Sequence, residues 1–210
     1  MDREGKNCQE VTAFTDNFHY FCICKPRITK IYRTMEFKKV LAKRRSTRKF
    51  LPTVPSREVL LDIVHDALTA PSSRNMHTTR FLIVDDRETL DKLASLRDFG
   101  ASFLSEATAA IVVMGDTTKT DLWRENCAIS ATMLQLSIVD HGMASCWVHA
   151  CDRPRFKDEP EGEMAEEYIR TIVNIPENCK VECVIALGYS DFEPKPLPEW
   201  DAEACVMWHK

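Results

Sequence analysis

The sequence predicts an α+β domain in which helices pack around a central sheet. Apolar residues recur at helical spacing in several segments, and short apolar runs typical of buried strands separate those segments. No pattern repeats at a fixed period. Helices and strands mixed in this way favour one sheet covered by helices.

The helix predictions begin with Phe37, Val40 and Leu41, which share one face at helical spacing. Ser56 is the expected N-cap of a second helix, which ends at the turn beginning with Ala70 and Pro71. The remaining predicted helices cover residues 86–96, 99–107, 121–141 and 161–168. The helix over 121–141 is the longest and is apolar on most faces, which predicts burial on most faces.

Four short apolar runs predict the strands. They cover residues 80–84, 109–114, 145–148 and 181–189, and the run over 145–148 fits a strand or an extended loop. The run over 109–114 is apolar throughout, which favours a central position in the sheet. The proline-rich tail over 193–198 is predicted to be extended, because a residue before proline avoids the helical region.

Composition excludes several classes of protein. The chain has 210 residues, which suits one medium domain or one domain plus a tail. The net charge of −4 disfavours a general nucleic-acid binder. The longest uncharged run holds about 14 residues, whereas a membrane span needs about 20. No secretory signal is recognisable at the N-terminus, so a cytoplasmic protein is the simplest expectation.

Residues 1–34 differ from the rest of the chain, because they hold one short apolar patch and no clear period. The helical pattern starts at Met35. Two interpretations stay open: residues 1–34 are an extension upstream of a functional start at Met35, or they are an ordinary N-terminal arm. Residues 35–210 then form the functional domain.

Nine cysteines at irregular spacing predict free thiols that are mostly buried, because a disulfide framework usually has an even count. Cys22 and Cys24 are expected to be structural or incidental, and Cys179 and Cys183 are expected to pack at the strand that they flank. A second group, close together in the chain, could suggest zinc. Its members are His141, Cys146, His149 and Cys151. Their spacing matches no common zinc pattern, so no metal site is predicted.

The segment over residues 44–50 is rich in groups that donate hydrogen bonds to anions, and we call it the basic turn. It contains three arginines, a lysine, a serine and a threonine. Arginine forks could hold a phosphate by bidentate contacts. A solvated basic turn between two helices is the alternative, and composition alone favours it.

Two further segments suit a ligand. Asn75, in the polar loop after the second helix, offers a donor and an acceptor for the edge of a heterocycle, although such a loop is also a common turn signal. Gly188, at the end of the last strand, would let a ligand approach the backbone closely. Lys195 could reach an anion.

Together and in this order, the segments resemble the nitroreductase family of FMN enzymes. The matching segments are residues 44–50, 70–75, 142–148 and 185–189, and the resemblance covers about residues 36–197. It implies an α+β fold with a mostly antiparallel sheet and an intertwined homodimer. Two FMN sites are then expected at the subunit interface.

The resemblance also implies the residues that bind the flavin. The phosphate, the ribityl chain and the pyrimidine edge would be surrounded by Arg44, Arg45, Ser46 and Arg48. The ring would be contacted by Asn75, by the backbone of Cys146, Trp147 and Val148, and by Pro71, Ser72 and Ser73 of the partner subunit. Gly188 and Lys195 would close the phosphate end.

One segment departs from the family pattern. Many relatives follow the asparagine with Gln-Pro-Trp, whereas this chain has Met76, His77, Thr78 and Thr79. His77 takes the position of the glutamine and is therefore also expected to contact the cofactor, and the aromatic residue is missing. We expect FMN binding to survive, and the departure leaves the choice of acceptor open.

The sequence therefore predicts an oxidoreductase in which NADH or NADPH passes a hydride to FMN, and a small acceptor such as a nitroaromatic or quinone then takes it in a ping-pong cycle. No dinucleotide fingerprint is present, so the nicotinamide is expected to bind transiently over the flavin. Arg48 is the candidate for stabilising the reduced flavin, and no catalytic residue is assigned. The alternative is a non-catalytic protein that stores or senses FMN.

Overall fold

The computed structural model describes residues 35–209 and confirms the α+β fold. The predicted arm over residues 1–34, with Cys22 and Cys24, lies outside the described residues. The strands are β1 (Thr79–Val84), β2 (Ala109–Asp116), β3 (Ala144–His149) and β4 (Cys179–Gly188). The helices are α1 (Phe37–Lys43), α2 (Arg57–Ala67), α3 (Arg87–Leu93), α4 (Trp123–Asp140), α5 (Ala165–Ile172) and α6 (Ala202–Cys205).

The four strands form one antiparallel sheet in the order β1-β2-β4-β3. The apolar run over 109–114 lies in β2, so its predicted central position is confirmed. Thr79 at the start of β1 pairs with Gly115, and Ala144 at the start of β3 pairs with Gly188. Because the sheet is antiparallel, β1 and β3 begin at opposite ends of it.

Side chains alternate between the two faces of the sheet, and each face carries its own core. One core packs α3 and α5 on the sheet and includes Leu90, Leu93 and Ile169. The other core packs α2 and α4 on the opposite face and includes Ile63 and Leu134. The long helix α4 is largely buried, as predicted, and four of its buried residues are polar: Asn126, Ser130, Gln135 and Ser137.

Three details of the predicted helices are wrong. Residues 99–107 contain only a 3-10 turn over Ser102–Ser105, which follows Gly100 in the left-handed region. Helix α5 begins at Ala165 rather than at residue 161, because the Glu167 side chain accepts the Met164 N–H and caps the helix there. The short helix α6 was not predicted.

The predicted stripe of α1 forms a helix but is mostly uncovered. Val40 is buried, whereas Phe37 is 64% exposed and Leu41 is also exposed. Leu61 and Leu68 on α2 and Ile129 on α4 are exposed as well. Within residues 35–209, no helix combines the length and the apolar character that crossing a bilayer requires.

Candidate cofactor site

The basic turn follows α1 and runs along the outer edge of β3. Ser46 forms a parallel bridge with Ser145, and the Thr47 N–H donates to the Ser145 carbonyl at 2.9 Å. Further along, the Leu51 N–H donates to the Tyr189 carbonyl at 2.8 Å. The backbone of the turn is therefore fixed to the sheet, while Ser46 and Arg48 stay exposed.

Two side chains of the turn, Ser46 and Arg48, lie beside the buried thiol of Cys146. Burial raises the pKa of Cys146, while the positive charge of Arg48 and a hydrogen bond from Ser46 act in the opposite direction. The Arg48 guanidinium lies 5.5 Å from the centre of the Phe103 ring, and its Nη1 donates to the Ser46 carbonyl at 3.4 Å. Arg48 is thus held at the edge of β3 without an acidic partner among these contacts.

The Arg45 side chain makes contacts different from those of Ser46 and Arg48. Its Nη1 donates to the carbonyls of Ala42 and Arg44, both at 2.7 Å. Arg45 also lines a cavity of about 350 Å³ together with Lys43, Thr47 and Lys195. The only carboxylate in this lining is Glu193. Three cations against one anion suit a phosphate.

Gly188 packs closely against two neighbouring side chains. A Cβ atom at this position would lie 2.7 Å from Thr108 Oγ1 and 3.2 Å from the Phe50 ring. The glycine is therefore explained by close packing against Thr108 and Phe50. Lys195, by contrast, lies at the cavity, and Arg44 is half-buried where α1 ends.

The outer edge of β3 offers backbone groups to a ligand. In an antiparallel pair, alternate residues point their N–H and C=O groups away from the partner strand. Because the Ser145 carbonyl points toward the basic turn, Trp147 and His149 also point their backbone groups away from β4. Of the expected segment Cys146, Trp147 and Val148, Trp147 therefore offers outward backbone groups, whereas those of Cys146 and Val148 point toward β4.

The loop over residues 71–78, which we call the polar loop, has a strained backbone. Arg74, Asn75 and His77 have φ angles of 49°, 55° and 45°, in the left-handed region that non-glycine residues rarely adopt. Such strain costs about 1–3 kcal/mol per residue and persists only where the surroundings impose it. Asn75 and His77 are exposed, so the loop presents them outward.

A single buried amide holds both ends of the polar loop. Asn126 of α4 is 2% exposed. Its Oδ1 accepts the Ser73 N–H at 2.8 Å, and its Nδ2 donates to Thr78 Oγ1 at 3.1 Å. Within the loop, the His77 N–H donates to Ser72 Oγ at 2.9 Å. Asn126 was not predicted to be important, because its only signal in the sequence is a polar residue at the start of the longest uncharged run.

The basic turn and the polar loop lie far apart within one chain. The loop ends just before Thr79, which pairs with Gly115 of β2, and Gly115 in turn pairs with Lys180 of β4. The basic turn lies beside Ser145, which pairs with Leu187 of β4. The seven residue steps from Lys180 to Leu187 span roughly 20 Å along the strand. In addition, β1 and β3 are the two opposite edges of the sheet. One chain therefore does not bring Pro71, Ser72, Ser73, Asn75 and His77 to the basic turn.

The cysteines and histidines serve other contacts. Within residues 35–209, no group of three metal-binding side chains comes together. His141 joins α4 to α2, since its Nε2 lies 3.2 Å from Asp62 Oδ2. The six cysteines of the described residues are free, and all but Cys205 are buried. Burial raises the pKa of Cys127 to about 12 and that of Cys151 to about 11, so both stay neutral thiols.

Known proteins of one family resemble this chain in sequence and fold. The model of the nitroreductase family matches residues 41–119, which include the basic turn and the polar loop. A solved FMN-dependent nitroreductase from Clostridium difficile is 36% identical with a TM-score of 0.75, covering 81% of this chain and 98% of that chain. A nitroreductase family protein from Streptococcus pneumoniae, 18% identical, has the same fold with a TM-score of 0.69, covering 83% of this chain and 100% of that chain.

The chain also resembles a protein found by comparison of sequences. A protein of Archaeoglobus fulgidus with the provisional name NADH dehydrogenase/NAD(P)H nitroreductase is 32% identical over 155 residues, covering 72% of this chain and 83% of that protein. Fold and sequence together define an α+β oxidoreductase. The chain belongs to the nitroreductase family.

Proposed function

We propose that the chain is an FMN-dependent oxidoreductase that uses NADH or NADPH to reduce a small acceptor such as a nitroaromatic or quinone. The Clostridium difficile neighbour is named FMN-dependent, and the Archaeoglobus fulgidus relative is named for NAD(P)H. FMN, when bound, supplies the acceptance and donation of hydride, while the protein supplies binding and electrostatics.

The observation that carries the proposal is the pairing of the basic turn with the edge of β3. The phosphate would be held by donors at the turn and the adjacent cavity: Arg44, Arg45, Ser46 and Lys195. The backbone edge at Trp147 and His149 would meet the planar ring. These donors match a dianionic phosphate attached to a heterocycle, so the residues present fit the group.

Arg48 would stabilise negative charge that develops at the pyrimidine edge. A fixed cation near a developing anion lowers its energy without reorganisation. The Phe103 ring and the Ser46 carbonyl hold the Arg48 guanidinium in place beforehand. No carboxylate neutralises Arg48 in these contacts.

We also propose that the site needs two copies of the chain. The polar loop does not reach the basic turn of its own chain, so a second copy would have to supply it. Exposed apolar residues on α1, α2 and α4 provide surface for such a homodimer: Phe37, Leu41, Leu61, Leu68 and Ile129. Pro71, Ser72, Ser73 and Asn75 would then contact the flavin of the partner.

The visible absorption spectrum of the purified protein tests the proposal. We expect a flavin spectrum, FMN as the extracted species, and oxidation of NADH or NADPH when a quinone is added. Bound FMN without turnover would instead support the storage or sensor function. A colourless protein that does not bind added FMN would contradict both functions.

The domain boundary is part of the same proposal. Residues 1–34 precede the family-like region, so a chain that begins at Met35 should fold and keep FMN. Melting temperature and flavin content of the two forms give the comparison. Loss of both in the shorter chain would assign residues 1–34 to the functional domain.

A further inference from the structure

Glu182 is a buried carboxyl group in the middle of the sheet. It lies in β4 beside a register shift opposite Val113 and Met114, and it is 6% exposed. Its Oε1 is 3.6 Å from Nδ1 of His149. Its Oε2 is buried and has no hydrogen-bond partner among the described residues. A buried acceptor without a partner calls for an explanation.

His149 connects this carboxyl group to the proposed site. It is the last residue of β3, and its ring stacks on Trp147 with centroids 6.3 Å apart. The His149 side chain is 36% exposed, whereas the Glu182 side chain is almost fully buried. The imidazole therefore has one side toward the surface at the edge of β3 and the other toward Glu182.

The surroundings raise the pKa of Glu182 and lower the pKa of His149, so the two values approach each other. Burial raises the pKa of Glu182, while Arg124 of α4 and the Cys151 thiol lower it and Asp152 raises it. Burial also lowers the pKa of His149, and Arg153, Arg97 and Arg124 lower it further, while Asp152 raises it. Cys127, Cys183 and Glu125 are further titratable side chains near Glu182. Two groups that interact strongly titrate as a pair rather than one by one.

We propose that His149 and Glu182 form an acid–base pair that holds the proton consumed when an acceptor is reduced beside β3. The inference rests on the proposed function. In the first half of the cycle the nicotinamide gives up a hydride and leaves in its oxidised form. In the second half a quinone receives that hydride, which carries two electrons and one hydrogen nucleus. The second quinone oxygen needs one proton to give the hydroquinone. The His149 imidazolium donates that proton, the Glu182 carboxylate stabilises the imidazolium beforehand, and water returns a proton to the imidazole.

Titration by nuclear magnetic resonance of the full chain tests the pair without relying on activity. Opposite charges at this distance favour each other's charged form and shift a pKa by about 1–3 units. We therefore expect Glu182→Gln to lower the pKa of His149 by about one unit or more. Because coupling is reciprocal, His149→Gln should raise the pKa of Glu182 by a similar amount.

Glu163→Gln is the matched control, since Glu163 pairs with Arg155 instead. It should leave both pKa values unchanged. An unchanged pKa of His149 in Glu182→Gln, or an unchanged pKa of Glu182 in His149→Gln, would show that the two groups do not form a pair. If Glu182→Gln does not fold, the Glu182 carboxyl resonance in His149→Gln decides the question alone.

The pH dependence of quinone reduction then tests the role of the pair. In the parent protein, kcat should fall as the pH rises through the pKa of His149, because the proton donor is lost. His149→Gln should lower kcat and remove this dependence while the flavin content stays the same. A retained dependence in His149→Gln would overturn the role in proton donation. A parent protein that binds no FMN would refute the proposed function but leave the titration interpretable.

Discussion

The basic turn and the polar loop carry the two halves of the proposed site, and different forces hold them. Backbone pairing with the outer edge of β3 fixes the turn, which contains no left-handed residue. The loop has three strained residues, and the side chain of Asn126 holds it. The turn supplies cationic side chains, whereas the strained backbone of the loop determines how its exposed side chains are presented. The loop is therefore the half more sensitive to one distant substitution.

Asn126→Leu should have the largest effect. Leucine fills a similar volume but leaves the Ser73 N–H and the Thr78 hydroxyl without their partner. A buried polar group left unpaired costs about 1–3 kcal/mol. We expect lower stability in urea unfolding and weaker FMN binding in a titration.

Ser130→Ala is the matched control on the same helix. It removes one buried bond, from Ser130 Oγ to Thr79 Oγ1, which lies in the strand rather than in the loop. It should leave FMN affinity close to that of the parent. Equal affinities in Asn126→Leu and Ser130→Ala would show that Asn126 does not position the loop.

The comparison also explains how much the sequence could reveal. The strands and the basic turn were predictable, because apolar runs and clustered arginines leave local signals. The anchor at Asn126 was not predictable, because its partners Ser73 and Thr78 are about fifty residues away in the chain. The sequence could not reveal the packing of Gly188, because a glycine that packs against Thr108 leaves the same signal as one that a ligand approaches.

Arg44→Ala should weaken FMN binding by about ten-fold or more. A charged hydrogen bond contributes about 1.5–3 kcal/mol, and 1.4 kcal/mol corresponds to one decade of affinity. The measurement is an FMN titration. Lys49→Ala, which removes an exposed cation from the same turn, should have a smaller effect. Parent-like binding by Arg44→Ala would mean that the turn is a solvated basic loop.

Arg48→Ala should make the midpoint potential of bound flavin more negative. The substitution removes positive charge from beside the reduced form, which is then harder to reach. Redox titration against a reference dye measures the shift, with Lys49→Ala as the control. An unchanged potential in Arg48→Ala would remove Arg48 from the electrostatic role proposed for it.

Arg74→Gly should have the smallest effect and the opposite sign. Glycine adopts the left-handed region without the penalty of about 1–2 kcal/mol that a side chain brings. Part of this gain is offset by the greater freedom of glycine in the unfolded chain. Urea unfolding should show a small gain in stability, whereas Arg74→Ala, which keeps its Cβ atom, should show none. A loss of stability in Arg74→Gly would argue that the backbone strain is not a cost at this residue.

Subunit mixing tests most directly whether two chains build each site. One variant carries Arg44→Ala and Arg48→Ala in the basic turn, and the other carries Asn126→Leu behind the polar loop. Each alone should bind FMN weakly. Co-expression with different tags and purification through both should give a heterodimer that binds about one FMN tightly, because one site then combines two intact halves. Weak binding in a verified heterodimer would contradict the shared site.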